Sequence, residues 1–370
     1  MHEDIRYIDY TVRRSTPTEK SILKRAQEPL TIRRSMLYDQ LTGHNVRCGI
    51  CERRCRLQIG QDGFCKTRRN MDGDLYTLVY GDISSISANP IEKKPFFHFW
   101  PGSYALTIGT WSCNFPCPWC QNWEISKHPP NPHRTEYIDT EQLVRMVLKE
   151  KCQGVSVSFN EPTLLFEYSL DLFPLARRNG LYNTYVSNGY MTLEALKTLR
   201  SAGMDAIKFD MKGGAETYRE YCNADVDIVW RNIAESKRLG MHVEVVTLLI
   251  PGVNDGDNQI QEISMRHLKA AGPETPLHFT RFHPNYKMTN RPSTPISALE
   301  RAHSIAKKEG ALYVYIGNVP GHKLENTYCH NCGTLLIQRY GFAVARYAIS
   351  DNGKCPKCTE VIPTVGRYME

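Results

Sequence analysis

The chain has 370 residues, enough for two or three domains with a sizeable buried core. Its 41% hydrophobic and 23% charged residues are those of a water-soluble globular protein, and no apolar run approaches the roughly 18 residues that a spanning helix needs. The net charge of +7 is lodged in residues 1–70, which hold fifteen Lys and Arg against eight Asp and Glu, while the rest of the chain balances. A nucleic-acid or acidic partner for that end is one reading. The preferred one is that Arg47, Arg53, Arg54, Arg56 and Lys66 offset four neighbouring thiolates, which leaves little case for nucleic acid.

The opening Met-His-Glu-Asp-Ile-Arg carries no apolar signal region, so a cytoplasmic location without membrane attachment is expected. Thirteen cysteines in that compartment point to metals rather than disulfides. Residues 1–45 read as polar helix, broken at Pro17 and Pro29. The first cysteine group follows as Cys48-x2-Cys51-x3-Cys55-x9-Cys65, with Gly60 and Gly63 in its last segment. Four thiolates there form a closed site, for a second [4Fe–4S] cluster or for zinc. Leu75–Tyr80 and Ile83–Ile86 read as short strands, and Asn89–Gly102 as a loop rich in Pro and aromatics; the cysteine site is expected to order the segment leading into that loop, which could cap the substrate cavity.

From Ala105 the pattern alternates. Strands are expected at Ala105–Gly109, Gly154–Phe159, Tyr182–Ser187, Ala206–Phe209, Val243–Ile250, Leu277–Phe282 and Leu312–Ile316. Helices are expected between them, at Thr140–Lys149, Leu164–Arg178, Leu193–Arg200, Ile228–Leu239, Gln259–Ala270 and Ile296–Lys308. Asp139 and Thr140 are N-cap candidates, and Gly180, Gly203 and Gly240 suit helix ends. Repeated βα units imply an α/β fold with a mainly parallel sheet. Six units and a seventh strand suit an incomplete (βα)6 relative of the eight-stranded barrel, with its site at the strand C-termini. Last come Cys329-x2-Cys332 and Cys355-x2-Cys358, flanking strands at Leu335–Arg339 and Val344–Ile349, in the zinc-ribbon pattern. The divisions are then 1–103, helical and Cys-rich; 104–320, the partial barrel; and 321–370, the ribbon.

The chemistry centres on Cys113-x3-Cys117-x2-Cys120, directly after the first barrel strand. A protein-bound [4Fe–4S] cluster normally takes four cysteines. The next one in sequence is Cys152, so three thiolates would leave one iron open to chelate the amino and carboxylate groups of a methionine moiety. Glu161 and Asn160, at the second strand's end, could hold its ammonium, with an N-cap arrangement around Thr163 as the plainer reading. Ser187 and Asn188 follow the third strand, Asp210 and Lys212 the fourth, and His283 the sixth, as further cofactor contacts. Cys152 and Cys222 read as plain buried cysteines.

The triad, with Trp119 in its aromatic position, resembles the signature of the radical S-adenosylmethionine (radical SAM) superfamily. Within it, Pro90–Pro95, His98–Ser103, Cys120–Ser126, Ser158–Pro162, Phe282–Tyr286 and Tyr315–Val319 look like the AmmeMemoRadiSam-system enzymes, relatives of the pyruvate formate-lyase activating enzymes. The resemblance implies reductive cleavage of S-adenosylmethionine to a 5′-deoxyadenosyl radical that takes hydrogen from a substrate it leaves undefined. It also implies a one-electron donor such as ferredoxin or flavodoxin, and MEMO-like and AMMECR-type partner proteins. The alternatives are a glycyl-radical activase acting on a partner protein and a non-catalytic, metal-dependent scaffold. Val186 and Gln121 stand where the activases carry Asp and His, which counts against the former.

Overall fold

A computed structural model describes residues 29–131, 133 and 135–369. The expected helix before Pro29 lies outside those residues. From residue 29 to 45 the described chain holds no α-helix but two short strands, β1 (Arg33–Arg34) and β2 (Tyr38–Gln40). These pair with later strands, so tertiary partners override the local helical pattern: β1 joins β6 (Asp74–Thr77) and β5 (Arg68–Met71), and β2 joins β3 (Val46–Cys48) and β4 (Arg56–Leu57).

The main sheet has eight strands in the order β14-β13-β12-β11-β10-β9-β8-β7. Seven are parallel and close to their expected places: β8 (Tyr104–Gly109), β9 (Gly154–Val157), β10 (Tyr182–Ser187), β11 (Ala206–Met211), β12 (His242–Leu249), β13 (Leu277–Arg281) and β14 (Val314–Gly317). The eighth, β7 (Ser85–Pro90), runs antiparallel on the β8 edge, so the barrel stays open between β7 and β14. Its helices are α1 (Thr140–Lys149), α2 (Phe166–Arg178), α3 (Leu193–Ala202), α4 (Val226–Arg238), α5 (Asp257–Ala271) and α6 (Ile296–Glu309). Local chemistry sets their ends. Asp139, not Thr140, caps α1 by accepting from Gln142 N at 2.7 Å, and Leu143, Val144 and Val147 form its buried stripe. Thr192 caps α3, which ends at left-handed Gly203. No described helix is long and apolar enough to cross a membrane.

The aromatic part of the Asn89–Gly102 loop turns away from the strand C-termini. Its Phe96, Phe97, His98 and Phe99 are buried and plug the opposite end, among the first residues of the strands. Phe99 packs on Tyr182 and His242, and His98 N donates to Glu244 Oε1 at 2.8 Å. Glu244 in turn accepts from the side chains of His242 and His278, a closed network at the barrel floor. Apolar surface explains the placement, since four rings left facing solvent would forgo their burial.

The ribbon strands β15 (Thr327–Tyr328), β16 (Leu335–Tyr340) and β17 (Ala343–Tyr347) form an antiparallel sheet that leans on this plug. Arg339 is the tie. It is buried, stacks 4.0 Å from the Phe97 ring, and donates to Phe97 O, Thr327 Oγ1 and Glu325 O. The tail adds main-chain bonds, Trp100 N to Val365 O and Val365 N to His98 O, both 2.7 Å. Replacing Arg339 with Met keeps most of the volume but orphans three acceptors. It is expected to cost about 3 kcal/mol and to raise hydrogen exchange in β16 and β17. A loss below roughly 0.5 kcal/mol in denaturant titration, with unchanged exchange, contradicts this role.

Candidate functional site

A cavity of about 280 Å³ opens at the C-terminal ends of the barrel strands. Cys113, Cys117 and Cys120 line one side of it, with Trp119 between them. Asn160 and Glu161 after β9, Asn188 after β10, Asp210 and Lys212 at β11, and Thr280 on β13 line the others. Residues far apart in sequence thus share one space, because parallel strands in register deliver every crossover to the same rim.

The predicted residues divide into liners and supports. Glu161 is held by neighbouring donors, three of them on Oε1 and one on Oε2. Its carboxylate accepts from Thr163 N at 3.1 Å, the Thr163 hydroxyl, Ser187 Oγ at 2.9 Å and Asn188 N at 2.9 Å. The N-cap arrangement is therefore present, and it reaches across to the next strand as well. Burial pushes the Glu161 carboxyl pKa up, and these four donors counter it. Ser187 does not line the cavity; it holds Glu161 and accepts from Gly189 N. Gly189, at φ +76°, makes that turn, and a Cβ there would meet the Phe209 ring at 2.7 Å. Asn160 pins the thiol loop by donating to Ser112 O at 2.7 Å and accepting from Thr110 N. His283 is exposed, bonded to Ser293, and outside the lining.

Asp210 lies between two lysines, bonded to Lys208 and 3.4 Å from Lys212. Burial opposes its charge, yet the two ammonium groups hold its carboxyl down to about 2. Lys208 was missed in the sequence. It stands two residues before Asp210, hence on the same face of the strand, and extending the period-2 argument one step would have found it. Lys93 and Lys127 also line the cavity, and Lys127 donates to Phe115 O at 2.8 Å.

Cys222 is not a bystander. Its sulfur lies 3.9 Å from that of Cys117, inside a π-helical turn, Tyr218–Cys222. That contact, above all, brings Cys117 down to about 6, against burial and with help from Lys212 and Lys127. Burial instead pushes Cys113 up to about 12, eased by Lys127, and Phe115 N donates to its sulfur at 3.4 Å. The three thiols and the cations facing them suit an anionic, sulfur-ligated group with room beside it for a further ligand.

At the far end of the chain, the sulfurs of Cys329, Cys332, Cys355 and Cys358 all lie within 4.8 Å of one another, a set able to hold one metal ion. Cys152 is buried, as expected.

Comparison with known proteins finds the family model of the radical SAM superfamily matching residues 108–262. An uncharacterized protein of Methanocaldococcus jannaschii is 42% identical over 90% of this chain and 100% of its own. A second protein of that organism, which carries the name of a glycyl-radical enzyme activating enzyme, is 23% identical over 53% of this chain and 71% of its own. Among solved structures, a radical SAM methyltransferase from Sphaerobacter thermophilus superposes with a TM-score of 0.48 at 11% identity, over 86% of this chain and 85% of that one.

The Asp210 arrangement has a measurable consequence. A carboxyl held below its ordinary value stabilises the fold above about pH 4 and stops doing so as pH falls towards 2. Asp210→Asn is expected to lower unfolding free energy at pH 7 by about 2 kcal/mol and to flatten that stretch of the profile. Wild type and variant showing the same change in stability between those two pH values would contradict the assignment.

Proposed function

The chain belongs to the radical SAM superfamily, a family of enzymes that implies a [4Fe–4S] cluster and S-adenosylmethionine, and we propose that Cys113, Cys117 and Cys120 hold that cluster in the strand-end cavity. The observation that carries this is the meeting of the three thiols, in one cavity, with strand-end polar groups from four different βα units. A cluster with one open iron, when bound, supplies the electron that splits the sulfonium of S-adenosylmethionine into methionine and the radical that takes hydrogen from the substrate.

The protein's own residues do the rest. Asn188, Asn160 and the Asp210–Lys212 pair present hydrogen-bond partners to the methionine and ribose ends. Trp119, 4% exposed and packed on Tyr221, shields the thiol side from water. Glu161 and Ser187 act one step back, fixing the β9 and β10 ends to each other rather than gripping the cofactor directly. Lys208 and Lys93 make the remaining wall cationic, which suits an anionic substrate. A glycyl-radical activase is disfavoured, because Val186 packs in the apolar cluster of Ile91, Phe96 and Phe99 and offers no carboxylate. The C-terminal four-cysteine group is assigned to structural zinc, since four sulfurs leave no open position for catalysis.

Anaerobically reconstituted protein should produce 5′-deoxyadenosine from S-adenosylmethionine on reduction. Cys113→Ser, Cys117→Ser and Cys120→Ser should each abolish product in a folded protein; full activity in any of them overturns the cluster assignment. Separately, the full chain should hold one zinc at the ribbon. Cys355→Ser should then loosen residues 324–370 in hydrogen exchange while cleavage of S-adenosylmethionine persists. Iron at the ribbon in place of zinc would count against that reading.

A further inference from the structure

The N-terminal cysteines enclose a hollow of their own. It is lined by Cys48, Cys51, Cys55 and Cys65 together with Arg68 and Asn114. Cys48 ends β3, and the turn after it docks on the loop that follows β10: Glu52 N donates to Tyr190 O at 2.9 Å and Thr192 Oγ1 to Gly49 O at 2.8 Å. The Gly60–Gly63 turn then returns the chain so that Cys65 faces the other three.

Two buried donors in this lining meet no oxygen or nitrogen acceptor, Arg68 Nε and Asn114 Nδ2, the second of them facing the Cys51 sulfur. Both side chains are locked in place from behind. Arg68 Nη1 donates to Glu167 at 2.6 Å and to Ser35 at 3.0 Å, and Nη2 to Leu164 O at 3.1 Å, so both Nη groups are taken, while the guanidinium as a whole feels the Cys48 and Cys65 sulfurs. Asn114 Oδ1 accepts from Asn188 Nδ2 at 2.7 Å, which turns its own amide N–H towards Cys51. A buried donor without an acceptor is costly. Two of them beside one set of thiols therefore mark a place where an anionic acceptor belongs. Arg47 and Arg54, expected from their sequence positions to serve here, are paired instead with Asp39 and with Glu52 and Glu194, while Arg56 and Lys66 face solvent.

Spacing identifies the acceptor. Four thiolates about 2.3 Å from one tetrahedral zinc stand about 3.8 Å from each other. The ribbon sulfurs meet that, with close pairs at 3.5 and 3.7 Å. Among the described residues, no three of the four N-terminal sulfurs come as close together as the ribbon's do; they line a narrow hollow instead.

We propose that Cys48, Cys51, Cys55 and Cys65 bind a second [4Fe–4S] cluster, with Arg68 Nε and Asn114 Nδ2 as hydrogen-bond donors to its sulfurs. All four irons carry a cysteine, so this cluster has no open position and takes no direct part in holding S-adenosylmethionine. Its nearness to the radical site is built in. Asn114 directly follows Cys113, and the Arg53 guanidinium clamps Asn114 O at 2.8 Å and Cys222 O at 2.9 Å.

The decisive sample is full-length protein with Cys113, Cys117 and Cys120 all replaced by Ser, reconstituted anaerobically with iron and sulfide. It should keep about four irons and four sulfides per chain and give a reduced-cluster electron paramagnetic resonance signal, although it cannot cleave S-adenosylmethionine. Should the triple variant not fold, wild-type protein serves in its place. It should hold about eight irons and one zinc, and its two reduced clusters should broaden each other's signal. Iron restricted to about four in wild type, with two zincs, overturns the proposal, and so does a folded triple variant that binds no iron. Because the triple variant lacks the proposed radical site, its iron count stands or falls apart from whether that site cleaves S-adenosylmethionine.

Discussion

One buried carboxylate organises the mouth of this barrel. Glu161 ties its own turn to the end of β10 by accepting from Thr163, Ser187 and the Asn188 main chain. Asn188 passes the constraint to Asn114, and Asn114 lies next to Cys113 in the thiol loop. Three loops from three strands are therefore held by one hydrogen-bonded chain that is nearly free of solvent. Such a chain is stiff, because each donor in it would lose an acceptor on moving and a buried loss is costly. The thiols consequently sit where the strand-end residues can face them before any ligand arrives, which lowers the ordering cost of binding.

The two ends of the barrel are built from opposite materials. At the mouth, lysines, amides and carboxylates surround a space, and their charges are balanced in pairs such as Asp210 with Lys208 and Lys212. At the floor, the Phe96–Phe99 plug and the Glu244 network pack against the strand starts, and Arg339 ties the ribbon to them. An open sheet of seven parallel strands exposes two edges and a hollow interior. Here β7 covers one edge and the plug closes the interior, so the mouth is left as the way in.

The glycine and cysteine spacings were informative because they constrain covalent geometry over a few residues. The C-x3-C-x2-C triad and the paired C-x2-C turns are local events, and both appear where their spacing placed them. Strand and helix positions were legible for a similar reason, since a period of 2 or 3.6 is written in neighbouring residues. The departures from expectation share a cause of their own. The segment 29–45 forms strands whose partners lie in later segments, and Cys222 meets Cys117 across 105 residues. No short window contains those partners.

Local pattern was enough for the order of elements: three cysteine groups, a βα-repeat, and polar residues stationed at strand ends. Which of those residues face one another depends on the fold. It set Glu161 as a brace between strand ends, sent His283 to the surface, and kept Arg53 beside the N-terminal cysteines while adding Arg68 as their buried cation. The physical reason is that contact between distant residues is settled by competition for burial and for hydrogen-bond partners over the whole chain, and that competition has no local signature.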